Sequence, residues 1–294
     1  MQELQSADIV VKASGIGLFD EYLAANIPVA AQPGTLKIYW DVDAPATLAD
    51  LADGRQPCLT ESLPLYDIVF TYGGGPPVVL AFAQAGAKQC VPIYNAVDPE
   101  THFPVPPEAR FRCDLGLVAN RLPDREARIN EFFFHAAQLL PAKRFLLAGS
   151  GWEGRTRTDN VRLYGHLPTG EHNAFNCSSR LVLNVARDKM AAMGYSPATR
   201  IFEAAGAGAC IITDDWPGLD LFLHEGDEIL VARDGQDVAD LMQAFDPRRL
   251  RTIGESARMR ILAEHTYERR ADEVDRILRG LMNQARDHAL ARVS

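Results

Sequence analysis

The chain has 294 residues, of which 47% are hydrophobic and 23% charged, a composition typical of globular proteins with sizeable cores. This length exceeds what one hydrophobic core usually organises, so two domains are expected. The 39 acidic residues outnumber the 30 basic ones and give a net charge of -9, which argues against nucleic acid as a partner.

The cysteines and the N-terminus indicate the cellular compartment. The five cysteines are widely spaced and odd in number, which favours buried free thiols over disulfides or a zinc site. The N-terminus lacks the basic start and apolar core of a signal peptide, and no stretch reaches the roughly 18 apolar residues of a spanning helix. We therefore expect a cytoplasmic protein without a transmembrane segment.

In the first half of the chain, short β-branched runs alternate with turns and segments of helical periodicity. This alternation is typical of parallel sheets covered by helices. The predicted strands are Asp8–Lys12, Leu36–Trp40, Asp67–Tyr72 and Gln89–Tyr94, and the helices between them include Phe19–Asn26 and Pro76–Ala85. Residues 98–108 contain four prolines, break the alternation and are predicted to form a linker.

The same pattern restarts after the linker. The predicted strands are Leu115–Ala119, Arg144–Ala148, Val161–Tyr164, Leu181–Val185, Ala209–Thr213 and Ile229–Val231. The predicted helices are Asp124–Leu140, Gly170–Asn176, Pro197–Gly206 and Leu219–His224, with further helices to the end. We therefore predict two Rossmann-like, doubly wound α/β domains, 1–108 and 109–294, with ligands bound in a cleft at the carboxyl ends of the strands.

The segment Tyr195–Asp215 carries the most chemical information. Ser196 and Pro197 predict the start of a helix, on which Ser196, Arg200 and Glu203 share one face. The helix N-terminus and Arg200 would hold an anion, and Glu203 would accept hydrogen bonds from a ribose diol. A nucleoside diphosphate requires this arrangement. The alternative is a surface ion pair between Arg200 and Glu203.

The order of several stretches points to a family. These stretches are LGLVANRLPDREARINEFF, RFLLAGSGW, NVRLYGHLPTGEHNAFNCS, LVLNVARD, GYSPATRIFEAAGAGACIITDDWPGLDLFLHEGDEILVARD and ILAEHTYERRADEV. They resemble the second domain of group 1 glycosyltransferases with the GT-B fold, and more closely the spore-maturation, CgeB-like glycosyltransferases. The first half shares YWDVDAPATL, YDIVFTYGGGP and VPIYNAVDPETHFPV with that family, but the strand, helix and strand that normally open its first domain are missing. The N-terminal, acceptor-side domain is therefore expected to be incomplete.

The resemblance implies that several loops of the second domain face the donor nucleotide. These loops carry Asn120 and Arg121, then Gly149, Ser150 and Gly151, then His166, and finally Arg187. Arg121 is the expected phosphate contact, and the glycine-flanked Ser150 would bring backbone close to the base. A structural histidine and a surface arginine are the alternatives for His166 and Arg187.

Two aspartates of the first domain are candidate catalytic residues. Asp41 and Asp43 follow a predicted strand, where a carboxylate with a raised pKa would activate an acceptor hydroxyl. Alternatively, they bind a turn and cap the helix after Pro45. No cofactor is expected, since the nucleoside-diphosphate sugar is a substrate. No metal ion is expected either, because two arginines and a helix N-terminus take its place. The Asp-x-Asp pattern of these aspartates leaves a metal open.

We therefore predict a glycosyltransferase that moves a sugar from a nucleoside-diphosphate sugar to an unknown small molecule, glycan or protein. The alternatives are a non-catalytic nucleotide-sugar-binding or structural protein on the same fold, and a sugar-nucleotide epimerase. Gly149–Gly154 matches the dinucleotide fingerprint, but the polar segment after it is too short for the required helix. An incomplete first sheet would expose an edge, which predicts a homodimer.

Overall fold

The computed structural model describes residues 4, 6–15, 17–154 and 158–291, with side chains up to residue 284. The chain forms two compact units, which comprise residues 1–94 with 268–294, and residues 95–267. The division thus precedes the proline-rich segment, whereas the sequence predicted domains of 1–108 and 109–294. The C-terminal residues also group with the first unit and not with the second.

The first unit contains a parallel sheet of four strands. They are β1 (Ile9–Ala13), β2 (Leu36–Asp41), β3 (Ile68–Thr71) and β4 (Cys90–Pro92), connected by α1 (Asp20–Ala30), α2 (Ala44–Ala52), α3 (Pro57–Ser62) and α4 (Gly75–Gln84). The strand order is β1-β2-β3-β4, without the reversal expected of a doubly wound sheet. Because successive right-handed crossovers in one direction place their helices on one face, α1 packs on α3 and α2 on α4.

The second unit contains a parallel sheet of six strands. They are β5 (Cys113–Val118), β6 (Phe145–Ala148), β7 (Val161–Gly165), β8 (Ser179–Asn184), β9 (Ile211–Asp214) and β10 (Leu230–Ala232). The helices are α5 (Pro123–Ile129), α6 (Ala136–Leu139), α7 (His172–Ser178), α8 (Asp188–Met193), α9 (Thr199–Gly206), α10 (Gly235–Ala244) and α11 (Pro247–Glu264). A π-helical segment, Asn130–His135, joins α5 to α6.

The strand order of the second sheet is β10-β9-β8-β5-β6-β7. Strand β5 therefore lies at the centre, and the chain winds first to one side of it and then to the other, as in a doubly wound sheet. The strands are apolar throughout because helices cover both faces of the sheet. The core of this unit includes Leu117, Phe133, Phe145, Leu183 and Ile212, all of them buried.

The last helix, α12 (Tyr267–Ala291), covers one face of the sheet of the first unit. Its apolar side chains pack against a buried cluster from β2, β3 and the segment after β4. The helix contributes Val274, Ile277, Leu278, Leu281 and Met282, and the cluster comprises Leu36, Ile38, Ile68, Phe70 and Ile93. Because side chains alternate along a strand, Tyr39 and Val69 point to the opposite face.

The predicted α/β architecture with parallel sheets is confirmed, and each predicted strand overlaps an observed one. The bounds shift by one or two residues because the strand ends are set by pairing with neighbouring strands. Among the residues described, no helix combines the length and apolar character needed to cross a bilayer.

Candidate functional site

The centre of the second sheet has the strand order at which open α/β sheets typically bind ligands. Strand β5 pairs with β6 on one side and with β8 on the other. From β6 the chain continues outward to β7, and from β8 it continues in the opposite direction to β9 and β10. Such a switch point opens a crevice at the carboxyl ends of the two diverging strands. The segment after β5 carries the predicted residues Asn120 and Arg121, and the segment after β8 carries Arg187.

Three guanidinium groups lie close together at this crevice, on Arg125 of α5, Arg187 after β8 and Arg200 of α9. Burial, and second the charge of Arg125, lower the pKa of Arg200 to about 10. Burial also lowers the pKa of Arg125, where the charge of Asp124 opposes the shift and that of Arg187 adds to it. The charge of Arg125 thus acts on both Arg187 and Arg200, so the fold holds like charges near one another in a partly buried place.

Two of these arginines keep hydrogen-bond donors without protein partners. The Nε atoms of Arg125 and Arg200 are buried and have no partner among the described residues. One Nη atom of Arg125 donates to the carbonyl oxygen of Asn120 at 2.8 Å. A buried cation with unsatisfied donors costs stability, so such groups are typically found at binding sites. An anion with several acceptor oxygens would complete this arrangement.

The other arginines near the crevice are paired with acids. Nη2 of Arg121 lies 2.7 Å from Oε2 of Glu126, and Nε of Arg187 lies 2.6 Å from Oδ2 of Asp124. Arg128 forms an ion pair of 2.5 Å with Asp214, whose carboxylate is fully buried. The predicted phosphate contact Arg121 is therefore bound to a carboxylate through Nη2, although its buried Nε atom, like that of Arg128, has no partner among the described residues. Arg125, which the sequence analysis missed, has no carboxylate partner among the residues described. The available signal was its position, because Arg125 lies in the first turn of the helix that follows β5.

The glycine-flanked loop after β6 is bound to the loop after β5. The amide of Ser150 donates to Oδ1 of Asn120 at 3.0 Å, and the amide of Arg121 donates to the carbonyl oxygen of Ser150 at 2.9 Å. Gly149 has a φ of 143°, and a Cβ atom there would overlap the carbonyl oxygen of Ala119. Packing between the two loops thus requires this glycine, whereas the sequence analysis related it to an approaching base.

The remaining residues predicted around this loop are exposed. Gly151 has a φ of 88°, and a Cβ atom there would lie 3.1 Å from Cβ of Arg121. His166, which directly follows β7, is exposed to solvent. The sequence predicts no helix directly after the dinucleotide-like motif. Residues 155–157 of that segment lie outside the described residues, and the residues on either side, 152–154 and 158–160, are not helical.

Helix α9 begins later than predicted. Its first residue is Thr199, and Ala198 occupies the N-cap position without a side-chain hydrogen bond. The prediction that Ser196 caps this helix is wrong: its hydroxyl donates to the carbonyl oxygen of Gly194 at 3.0 Å. The helix starts two residues beyond its predicted start, so Ser196 lies before the N-cap position, from which a side chain accepts hydrogen bonds from the first amides. The first amides of α9 therefore have no side-chain cap, and Arg200 lies in the first turn.

Glu203 lies on the same helix, between two histidines. Its Oε2 atom is 3.6 Å from Nδ1 of His172, and its Oε1 atom is 3.8 Å from Nε2 of His102. Burial raises the pKa of Glu203, but His172, His102 and Arg200 more than offset this, so the pKa lies below its ordinary value. The carboxylate is therefore charged at neutral pH. Both histidines were missed from the sequence because only the tertiary fold brings them to Glu203.

The candidate catalytic aspartates lie in the first unit, after β2. Asp41 is fully buried, and its Oδ1 atom accepts hydrogen bonds from Ser14 Oγ, the amide of Asp43 and Thr47 Oγ1 at 3.0, 3.0 and 3.1 Å. Burial raises the pKa of this carboxyl group. Asp41 therefore binds the turn, one of the two expected roles. Asp43 is half-buried and occupies the N-cap position of α2, without a side-chain cap hydrogen bond.

Metal binding has no preformed cluster in the part of the chain that the structure describes. There, no three His, Cys, Asp or Glu side chains converge as ligands for an ion. Among the described residues, Asp41 and Asp43, which carry the Asp-x-Asp pattern, do not belong to such a cluster.

Solved structures of known proteins share this fold. Sucrose-phosphate synthase from Thermosynechococcus elongatus has 15% identity and a TM-score of 0.70, over 94% of this chain and 74% of that one. HepE from Anabaena, solved with UDP and glucose, has 14% identity and a TM-score of 0.69, over 95% of this chain and 80% of that one. The pneumococcal O-GlcNAc transferase GtfA, solved with UDP and GlcNAc, has 13% identity and a TM-score of 0.59, over 97% and 58%. At such identities the likeness establishes the fold, which is that of GT-B glycosyltransferases.

A family model extends the comparison to the sequence. The model described as glycosyl transferase-like matches residues 125–276, which is just over half of the chain and includes Arg125, Arg187, Arg200 and Glu203. Comparison with curated proteins finds no significant match. The narrower CgeB-like resemblance stays a prediction. Because the family model covers more than half of its residues, the chain belongs to the glycosyl transferase-like family.

Proposed function

We propose that the protein transfers a sugar from a nucleoside-diphosphate sugar to an acceptor, and that Arg125 and Arg200 bind the diphosphate. One observation carries this proposal: near the switch point of the second sheet, the Nε atoms of both side chains are buried and have no hydrogen-bond partner among the described residues. Family membership supports sugar transfer as the reaction type. The acceptor class is a small molecule, a glycan or a protein.

The guanidinium cluster suits the charge that develops during transfer. When the bond between the sugar and the diphosphate breaks, negative charge accumulates on the leaving phosphate oxygens. Prearranged donors aimed at that charge stabilise the transition state more than the ground state. Arg200 and Arg125 supply such donors, and the uncapped first turn of α9 adds backbone amides. We therefore propose that transfer needs no metal ion.

Glu203 is proposed to bind the ribose of the donor. Its carboxylate is charged, 20% exposed and held between His102 and His172, so it can accept hydrogen bonds from a diol. Asn120, Ser150, Gly151 and His166 would lie around the base and the sugar. The UDP bound in the HepE and GtfA structures makes UDP the first nucleotide to test.

The aspartates of the first unit are proposed to serve the acceptor. Asp41 holds the turn after β2 through the three hydrogen bonds that it accepts. Asp43 lies two residues later and is half-buried, so it is the better candidate for the base that takes the proton of the acceptor hydroxyl. We expect Asp43→Asn to lower turnover while nucleotide binding by the second unit is retained.

Thermal unfolding with UDP, GDP, dTDP and CMP tests the donor site. At about 100 times its dissociation constant, a nucleotide stabilises the folded protein by about 2.7 kcal/mol. We expect UDP to stabilise the wild type and Arg248→Ala, a matched control at an exposed arginine of α11, but not Arg200→Ala. Failure of every nucleotide to stabilise the wild type would refute the donor site.

Turnover separates the enzyme from a protein that only binds nucleotide sugars. UDP release from UDP-glucose is measured with water and with mixtures of sugar, glycan and protein acceptors. We expect release that depends on Arg200 and on Asp43. Tight UDP binding without release in any mixture would favour the non-catalytic alternative.

A further inference from the structure

A second polar cavity, of about 200 Å³, lies at the amino ends of β8 and β9 in the second unit. It is lined by residues from four parts of the second unit: Asn176 near the end of α7, Ser179 and Arg180 at the start of β8, residues 208–210 before β9, and Arg251 of α11. We call it the Arg180 pocket. The crevice around Arg200 lies at the carboxyl ends of the strands, so the two sites occupy opposite ends of β8.

The Arg180 pocket carries a surplus of positive charge. Arg180 and Arg251 both line it. The acidic group near them is Asp246. Its pKa is lowered mainly by hydrogen bonds from the amides of Arg249 and Arg248, and further by the charges of Arg251 and Arg180. The carboxylate of Asp246 already accepts hydrogen bonds from these two amides, at 2.9 and 2.7 Å. Arg180 donates from Nη2 to the carbonyl oxygen of Phe245, while its Nε atom is buried without a partner among the described residues. Among the residues that the structure describes, one positive charge of this pair therefore remains without a counterion.

A buried amide gives the second, independent observation. Asn176 is 3% exposed and lines the pocket, yet its Oδ1 atom has no hydrogen-bond partner in the described part of the chain. Buried side-chain acceptors in native proteins are nearly always satisfied, so an acceptor without a partner indicates a bound water or ligand. The pocket therefore offers an acceptor beside two guanidinium groups.

These groups define the ligand. Guanidinium groups bind phosphate oxygens with paired hydrogen bonds, and an amide oxygen requires a donor such as a hydroxyl group. The volume corresponds to about seven water molecules, enough for a phosphate group with a few carbon atoms. We infer that the Arg180 pocket binds a small phosphate monoester that carries a hydroxyl group, with Arg180 and Arg251 on the phosphate and Asn176 on the hydroxyl. This inference does not depend on the proposed transferase activity.

Isothermal titration of the full chain with glycerol 3-phosphate tests the inference. Arg251→Ala removes an exposed pocket arginine and should weaken binding about tenfold, whereas Arg248→Ala removes an exposed arginine of the same helix turn outside the pocket and should not. Arg180→Lys keeps the charge but loses the planar donor pair, and it should also weaken binding. Inorganic phosphate should bind more weakly than glycerol 3-phosphate because it leaves Asn176 without a partner.

Three outcomes would overturn the inference. They are no binding of glycerol 3-phosphate to the wild type, equal affinity of the wild type and Arg251→Ala, and equal affinity for inorganic phosphate. The Arg200→Ala variant distinguishes the two sites. If binding is lost in that variant and kept in Arg251→Ala, the phosphate occupies the Arg200 crevice, and the inference fails while the proposed donor site stands.

Discussion

The carboxylate of Glu203 faces the imidazole of His172, with 3.6 Å between Oε2 and Nδ1. His172 is the first residue of α7, and Glu203 lies in the second turn of α9, so this contact joins two helices of the second unit. The contact keeps the carboxylate charged and holds its position within the proposed donor site.

We predict that Glu203→Gln lowers the free energy of unfolding by about 1 kcal/mol at pH 7. The folded-state pKa of Glu203 lies below its unfolded value, so its contribution is fully present above the ordinary carboxyl pKa of about 4.3 and is lost as pH falls through the lower folded value. Urea unfolding at a series of pH values measures this difference. Glu255→Gln, at an exposed position of α11, is the control and should have no effect. A wild-type advantage over Glu203→Gln that persists undiminished at the lowest pH would contradict the assigned charge.

We predict that Arg200→Met retains or gains stability without ligand, by up to about 1 kcal/mol, and loses UDP binding. Replacing this cation by an apolar side chain removes a desolvation cost and a repulsion from Arg125, which together exceed the lost attraction to Glu203. Arg128→Met is the matched comparison and should destabilise by about 3 kcal/mol, because it leaves the buried Asp214 without its partner. Chemical unfolding of both variants provides the measurement. An Arg200→Met variant as unstable as Arg128→Met would show that Arg200 supports the fold and not a ligand.

We predict that Gly149→Ala destabilises the protein by about 2 kcal/mol or more. Its φ of 143° disfavours any side chain, and the new Cβ atom would overlap the carbonyl oxygen of Ala119. Gly170→Ala has open space around the added atom and should change stability by less than about 0.5 kcal/mol. Thermal unfolding compares the two variants. Equal stabilities would mean that the loops after β5 and β6 are not packed as described.

We predict that Leu278→Ala destabilises the first unit by about 1–2 kcal/mol, because this side chain packs on the face of its sheet that α12 covers. Hydrogen exchange should then accelerate in β2 and β3 while the amides of β5 stay protected. Arg279→Ala, at an exposed neighbour on the same helix, is the control. Faster exchange confined to the second unit would contradict the assignment of α12 to the first.

Local patterns predicted the elements well because their causes are local. The run from Leu36 to Trp40 is a strand in which alternate side chains face opposite sides, and the predicted helix from Asp124 to Leu140 corresponds to α5, the π-helical segment and α6. The start of α9 was missed because Ser196 is a common capping residue and Pro197 a common first helical residue. The helix begins two residues later, at Thr199, and the hydroxyl of Ser196 donates to the carbonyl oxygen of Gly194 instead.

Sequence alone determined the alternation of strands and helices, the family resemblance and the positions of Arg121, Arg187, Arg200 and Glu203, because these depend on residue type and short-range spacing. Tertiary structure decided which of these groups meet. It paired Arg121 with Glu126, left Arg125 and Arg200 with unsatisfied donors and set Glu203 between His102 and His172. The strand order decides these neighbours, since residues distant along the chain converge only where parallel strands end side by side.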